Sequence, residues 1–167
     1  MCGIAGYVGR SMPTLLSNML IRLAHRGPDD SGIHEEPGVG LGMTRLDIID
    51  LAGGHQPIWN EARDIAVILN GEIYNYRELR DTLERCGHRF ATRSDTEVLV
   101  HGWEEWGEDL LAELRGMFAF ALLDLRRRHS ARPMLFLARD PLGIKPLSYA
   151  ESDGAVLFAS GSVSFST

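Results

Sequence analysis

Residues 1–9 read MCGIAGYVG, a cysteine at position 2 followed at once by Gly3-Ile4-Ala5-Gly6-Tyr7-Val8, whose alternation predicts a short β-strand. Chain ends usually fray and tolerate change, yet here the most nucleophilic side chain stands at the foot of a strand. Methionine ahead of a small residue is normally trimmed, which leaves Cys2 with a free α-amine. A thiol near pKa ~8.5 and an amine near ~8 both sit close to neutrality. The amine can take the thiol proton and later return one to a leaving group, so one residue serves as nucleophile and base. Read alone, Cys2 is an arbitrary residue of a loose end; the rest of the chain decides between the two.

Outward from that strand, Ser11 is expected to cap a helix with Pro13 in its first turn, where a missing N–H costs little. Leu15, Leu16, Met19, Leu20, Leu23 and Ala24 share one face of it. Residues 25–32, HRGPDDSG, predict an ordered loop from their glycines, proline and aspartates. Residues 39–47 and 64–69 read as strands, and a helix starts near Asn75, has Tyr76, Leu79, Leu83 and Cys86 at helical spacing, and stops at Gly87. Ser94-Asp95-Thr96-Glu97 predicts a capping box ahead of a third helix bearing Val98, Leu99 and Trp103. Strands follow at 117–125, 134–138, 147–150 and 155–159, with Asp153-Gly154 as a hairpin turn between the last two. Helices grouped mid-chain between strand blocks do not fit a doubly wound βαβ sheet. They fit an α+β domain of packed sheets with helices outside.

Composition narrows the function classes. The 167 residues are 44% hydrophobic and 24% charged, the balance of one ordinary globular domain. No apolar run reaches ~18 residues and no basic-then-apolar leader opens the chain, so no membrane partner and a cytoplasmic location are expected. The two cysteines are far apart and the six histidines lie singly in sequence, so neither a disulfide framework nor a metal site is expected. A net charge of −6 argues against a nucleic-acid partner, and the run Arg126-Arg127-Arg128 reads as a solvated hairpin tip.

Three further stretches bear on Cys2. Asn70-Gly71-Glu72 leaves an apolar strand at the edge of the core; on its own Asn-Gly reads as a tight turn, but side-chain and backbone N–H groups there could hold an oxyanion. Arg45, late in the 39–47 strand, could grip a carboxylate bidentately or serve a surface ion pair. Asp95 could pair with an ammonium or simply favour a helix start. Jointly they suit acyl transfer from an amino-acid side-chain amide.

The segments MCGIAGYVG, HRGPDDSG, GLGMTRLDIIDLAGGHQPI, LNGEIYNYRELR, SDTEVLVHGW, RGMFAFALLD and ARDPLGIKPL, in this order, resemble class II glutamine amidotransferase domains. They are most similar to the N-terminal glutaminase domain of glutamine-hydrolysing asparagine synthetases. The resemblance implies a four-layer αββα N-terminal nucleophile hydrolase sandwich of two antiparallel sheets over residues 1–160, with 161–167 a divergent tail. It implies that Cys2 is the nucleophile, that Asn70 and Gly71 form the oxyanion hole, and that Arg45 holds the glutamine α-carboxylate in a pocket lined by Ile48 and Ile49. Glu72 and Asp95 would position the α-amine end, and Arg26 would support the site. Substrate would be L-glutamine, with no metal and no cofactor in this domain. ATP and magnesium belong to a synthetase domain, in cis or in trans, that receives the ammonia; a homodimer is admitted. Where the family continues FASE this chain reads Phe158-Ala159-Ser160-Gly161, GLGMTRL replaces the commoner GLGHRRL while keeping the arginine, and no SGGxDS-type loop follows. The divergent tail and the missing ATP loop motivate an alternative, a catalytically silent remnant that binds a partner. Another amidase of the same nucleophile class is a third reading.

Overall fold

A computed structural model describes residues 2–12, 14–46, 54–126, 133–152 and 154–161. Its first strand, β1 (Gly3–Val8), follows the predicted bounds, and α1 (Leu15–Leu23) turns Leu16, Met19, Leu20 and Leu23 inward. Then come β2 (Asp30–Glu36), β3 (Val39–Arg45), β4 (Ile58–Trp59), β5 (Ile65–Ile73), α2 (Tyr76–Cys86), α3 (Glu97–Trp106) and the short α4 (Leu110–Glu113). The chain closes with β6 (Gly116–Asp124), β7 (Met134–Arg139), β8 (Ser148–Ser152) and β9 (Ala155–Ala159). All strand pairs are antiparallel, in one sheet ordered β2-β3-β1-β9-β8 and another ordered β4-β5-β6-β7.

Three separate packing layers define four structural ones. Between the sheets, Ile4, Leu41, Met43 and Phe158 meet Ala66, Ile68, Ala121 and Leu123. Outside the first sheet, Ala5, Tyr7, Leu157 and Ala159 pack on α1. Outside the second, Val67, Leu69, Phe118 and Phe120 pack on Leu79, Leu83, Val98, Leu99 and Trp103 of α2 and α3. The αββα sandwich follows. It also explains why Ile65 to Leu69 is apolar at every position rather than alternating: both faces of β5 are covered, one by a sheet and one by helices. Helix α1 seats closely because Gly42 leaves room; a Cβ there would stand 2.7 Å from Leu20 Cδ1.

Several local expectations give way to tertiary demands. Ser11 does not cap α1; the residue before it is Thr14, with φ 70° and no side-chain bond to the helix. Residues 25–32 are not a loop throughout, since Ala24–Arg26 forms a 3₁₀ turn and Asp30 already enters β2. The capping box does not form, because the Glu97 carboxylate instead accepts the N–H groups of Ala91 and Thr92 at 2.6 and 2.7 Å. Asn75 and Gly87 do bound α2, Gly87 with φ 105°. The Asn75 side chain meanwhile ties Glu113 O and Arg115 N at 2.9 Å each. Strands β2 and β4 carry no signal in the sequence reading. No helix among the described residues is long and apolar enough to cross a membrane.

Candidate active site

Cys2 stands half-buried at the foot of β1, its Sγ 3.8 Å from the Leu46 carbonyl. That foot is pinned from both sides. The Arg26 Nε donates to Cys2 O at 3.2 Å, and the Ile4 N–H donates to the fully buried Ser160 Oγ at 2.8 Å. The β1–β3 register pairs Gly3 with Thr44, so one further step sets Cys2 across from Arg45, the last residue of β3. Arg45 is buried and pairs with Asp30 across the β2–β3 ladder. Asp30 burial pushes its carboxyl up, but the His55 and Ser31 hydrogen bonds and the charges of His55 and Arg45 win and hold it below the usual range.

Asn70-Gly71 is no turn: β5 runs through it to Ile73, with Asn70 opposite Ala119 and Gly71 opposite Phe118. Gly71 has φ 152°, and a Cβ there would meet Met117 O at 2.1 Å, so only glycine fits the ladder at this point. Strand alternation sends Asn70 and Glu72 to the inter-sheet side with Ala66 and Ile68, the layer against which Cys2 packs. Asn70 is 1% exposed, and its Nδ2 has no hydrogen-bond partner among the described residues. A buried donor without a partner is costly in a resting fold.

Asp95, just ahead of α3, accepts the Ile73 N–H at 2.9 Å and so ties the helix start to the end of β5. Burial raises its carboxyl pKa and the Glu72 charge adds to this, against the Ile73 bond that lowers it.

Cys2, Arg45, Gly71, Glu72 and Asp95 line one narrow cleft of about 40 Å³. Arg26 works from behind through the Cys2 carbonyl, and Asn70 is buried beside the cleft rather than on its wall. Ile48 and Ile49 lie outside the described residues. Gln56 is a site residue that sequence reasoning misses. It is buried in the cleft, where its Oε1 accepts the Leu69 N–H at 2.7 Å and its Nε2 donates to Thr96 Oγ1 at 3.2 Å, locking β5 to the start of α3. The only signal for it is its place within the GHQPI stretch. A much larger cavity of about 940 Å³ opens at the far end of β1, between Arg10, Pro37 and Glu151, and holds none of these groups.

A thiol at a strand foot and side chains of opposite charge thus share one cleft. The chain belongs to the glutamine amidotransferase domain family, whose model matches residues 1–166. Among relatives, asparagine synthetase [glutamine-hydrolyzing] 2 of Bacillus subtilis (strain 168) is 41% identical over 167 residues, 96% of this chain and 21% of that protein. Asparagine synthetase [glutamine-hydrolyzing] 3 of Arabidopsis thaliana is 43% identical over 96% of this chain and 28% of its own length. A putative asparagine synthetase [glutamine-hydrolyzing] of Mycobacterium tuberculosis (strain CDC 1551 / Oshkosh) is 45% identical over 95% and 25%. The chain thus spans about a fifth to just over a quarter of the curated relatives it matches. A solved glutamine phosphoribosylpyrophosphate amidotransferase from B. subtilis, complexed with ADP and GMP, superposes with TM-score 0.75 at 24% identity. It covers 95% of this chain and 42% of its own, and shares this fold.

Proposed function

We propose that this domain hydrolyses L-glutamine to glutamate and ammonia through Cys2. Once Met1 is removed, the α-amine takes the thiol proton, and the thiolate attacks the side-chain amide carbon. The oxyanion that forms is held by Asn70 Nδ2 and the Gly71 N–H. Collapse of the intermediate breaks the C–N bond, and the protonated amine hands its proton to the departing ammonia. Water, deprotonated by the same amine, then cleaves the glutamyl thioester and regenerates the thiol. Arg45 holds the α-carboxylate, Glu72 and Asp95 the α-ammonium, and Arg26 keeps the Cys2 main chain in place. The ammonia passes to an ATP-dependent amide-forming module of the asparagine synthetase type, where ATP and magnesium act.

The observation that carries this reading is the convergence of Cys2, Arg45, Gly71, Glu72 and Asp95 on one cleft from separate segments of the chain. The test is direct. Intact mass should show loss of Met1 and one adduct with a glutamine-analogue electrophile. Cys2→Ala should abolish both the adduct and glutamate release. Glutamate release that survives Cys2→Ala sinks the mechanism, whereas retained Met1 without labelling supports the silent-remnant alternative.

A further inference from the structure

On the outer helical face, away from the walls of the Cys2 cleft, four side chains from three segments converge. They are Glu61 between β4 and β5, His88 after α2, and His101 and Glu104 on α3, with one donor atom of each within 4.8 Å of all the others. The closest approaches are His101 Nδ1 to Glu104 Oε2 at 3.2 Å, His101 Nδ1 to Glu61 Oε2 at 3.5 Å and His88 Nδ1 to Glu104 Oε2 at 3.6 Å. Donors about 2.0 Å from a tetrahedral ion stand about 3.3 Å from each other, so these edges already have the spacing of a coordination shell.

The opposite ends of three of the four are also held by hydrogen bonds, and that of the fourth lies near a carboxylate. The Glu61 Oε1 accepts the Arg89 N–H at 2.8 Å, and the Glu104 Oε1 accepts Asn60 Nδ2 at 2.9 Å. The His88 Nε2 faces Glu105 Oε1 at 3.1 Å, and the His101 Nε2 faces Glu97 Oε1 at 3.6 Å. Carboxylates behind imidazoles fix the tautomer and ring angle in metal sites and raise ligand basicity. His101 is 1% exposed and turns its Nδ1 toward Glu61 and Glu104, while its Nε2 points away toward Glu97. Glu61 is 44% exposed and gives an ion a way in from solvent.

We propose that Glu61, His88, His101 and Glu104 bind one divalent first-row transition ion, zinc being the best match to two imidazole nitrogens and two carboxylate oxygens in a four-coordinate set. The ion clips the β4–β5 loop and the α2–α3 loop to α3 and acts structurally, since four protein donors fill its shell. The chemistry is independent of Cys2.

The tag-free chain, stripped with a chelator, is titrated with Zn²⁺ and separately with Co²⁺, and its melting temperature is followed. One equivalent is expected to bind, Co²⁺ to give the strong visible bands of tetrahedral nitrogen and oxygen ligation, and Zn²⁺ to raise the melting temperature. Glu61→Gln, at the solvent side, and His88→Gln should each weaken binding about 100-fold or more, and Glu105→Gln about tenfold. Absence of one-equivalent uptake by the unaltered chain overturns the proposal. So does uptake unchanged in both Glu61→Gln and His88→Gln, or uptake lost on Cys2→Ser.

Discussion

Asn70→Ala separates a catalytic donor from a structural one, because the two roles predict different changes in stability. The Asn70 side chain is 1% exposed and its Nδ2 has no hydrogen-bond partner among the described residues. Leaving such a group unpaired costs the resting fold about 1–3 kcal/mol, which alanine removes. Deleting a few buried atoms costs about 1–2 kcal/mol through the cavity left behind. The two nearly cancel, so folding stability should move by no more than about 1 kcal/mol. Turnover should respond far more: loss of one oxyanion donor costs about 10²–10³ in kcat, about 2.7–4 kcal/mol of transition-state binding. Urea denaturation and glutamate release at saturating glutamine, measured on the same preparation, read the two quantities. A kcat within about tenfold of the parent refutes the oxyanion assignment. A stability loss beyond about 2 kcal/mol would show that the amide is bonded in the resting fold and that its free state is no reserve for catalysis.

Two further outcomes follow from buried carboxylates. Burial, with the Glu72 charge beside it, raises the Asp95 pKa, so between the ordinary 3.8 and the raised value the folded chain holds a proton that the unfolded chain has lost. Stability from this group therefore falls as pH rises through that window, and the whole penalty remains above it. Asp95→Asn should raise the urea midpoint at about pH 7.5 while raising the KM for glutamine about thirtyfold or more, since a buried partner of the ammonium is lost. A lower midpoint, or an unchanged KM, contradicts the assignment. Asp140 has the opposite sign. Burial pushes its carboxyl up, but N–H bonds from Ile144 at 2.9 Å and Lys145 at 3.1 Å outweigh this and hold it below 3.8. Its contribution is complete above 3.8 and disappears as pH falls through the lowered value. The stability gap between the parent and Asp140→Asn should narrow on acidification below about pH 4, and a gap independent of pH there rejects it.

Elements with a strong local period are legible in the sequence. β1 matches residue for residue, α2 lies between Asn75 and Gly87, and β9 matches its predicted span. β2 is hidden because only Gly32 of Asp30–Glu36 is buried, so this edge strand shows no apolar alternation. Asn70-Gly71 carries a turn signal, yet pairing with Ala119 and Phe118 some fifty residues away keeps it in a strand. Glu97, three residues after Ser94, has the spacing of half a capping box, but Ala91 and Thr92 take its carboxylate.

By itself the sequence determined the cysteine at the foot of the first strand, the order of motifs and the α+β class, because these rest on side-chain identity and short-range periodicity. Tertiary structure alone decided which groups share a space. It set Arg45 across from the foot of β1, buried the Asn70 amide without a described partner, brought in Gln56, and gathered Glu61, His88, His101 and Glu104. Those juxtapositions depend on strand register and on how helices seat against sheets, which join residues far apart along the chain and leave no period in the sequence to read.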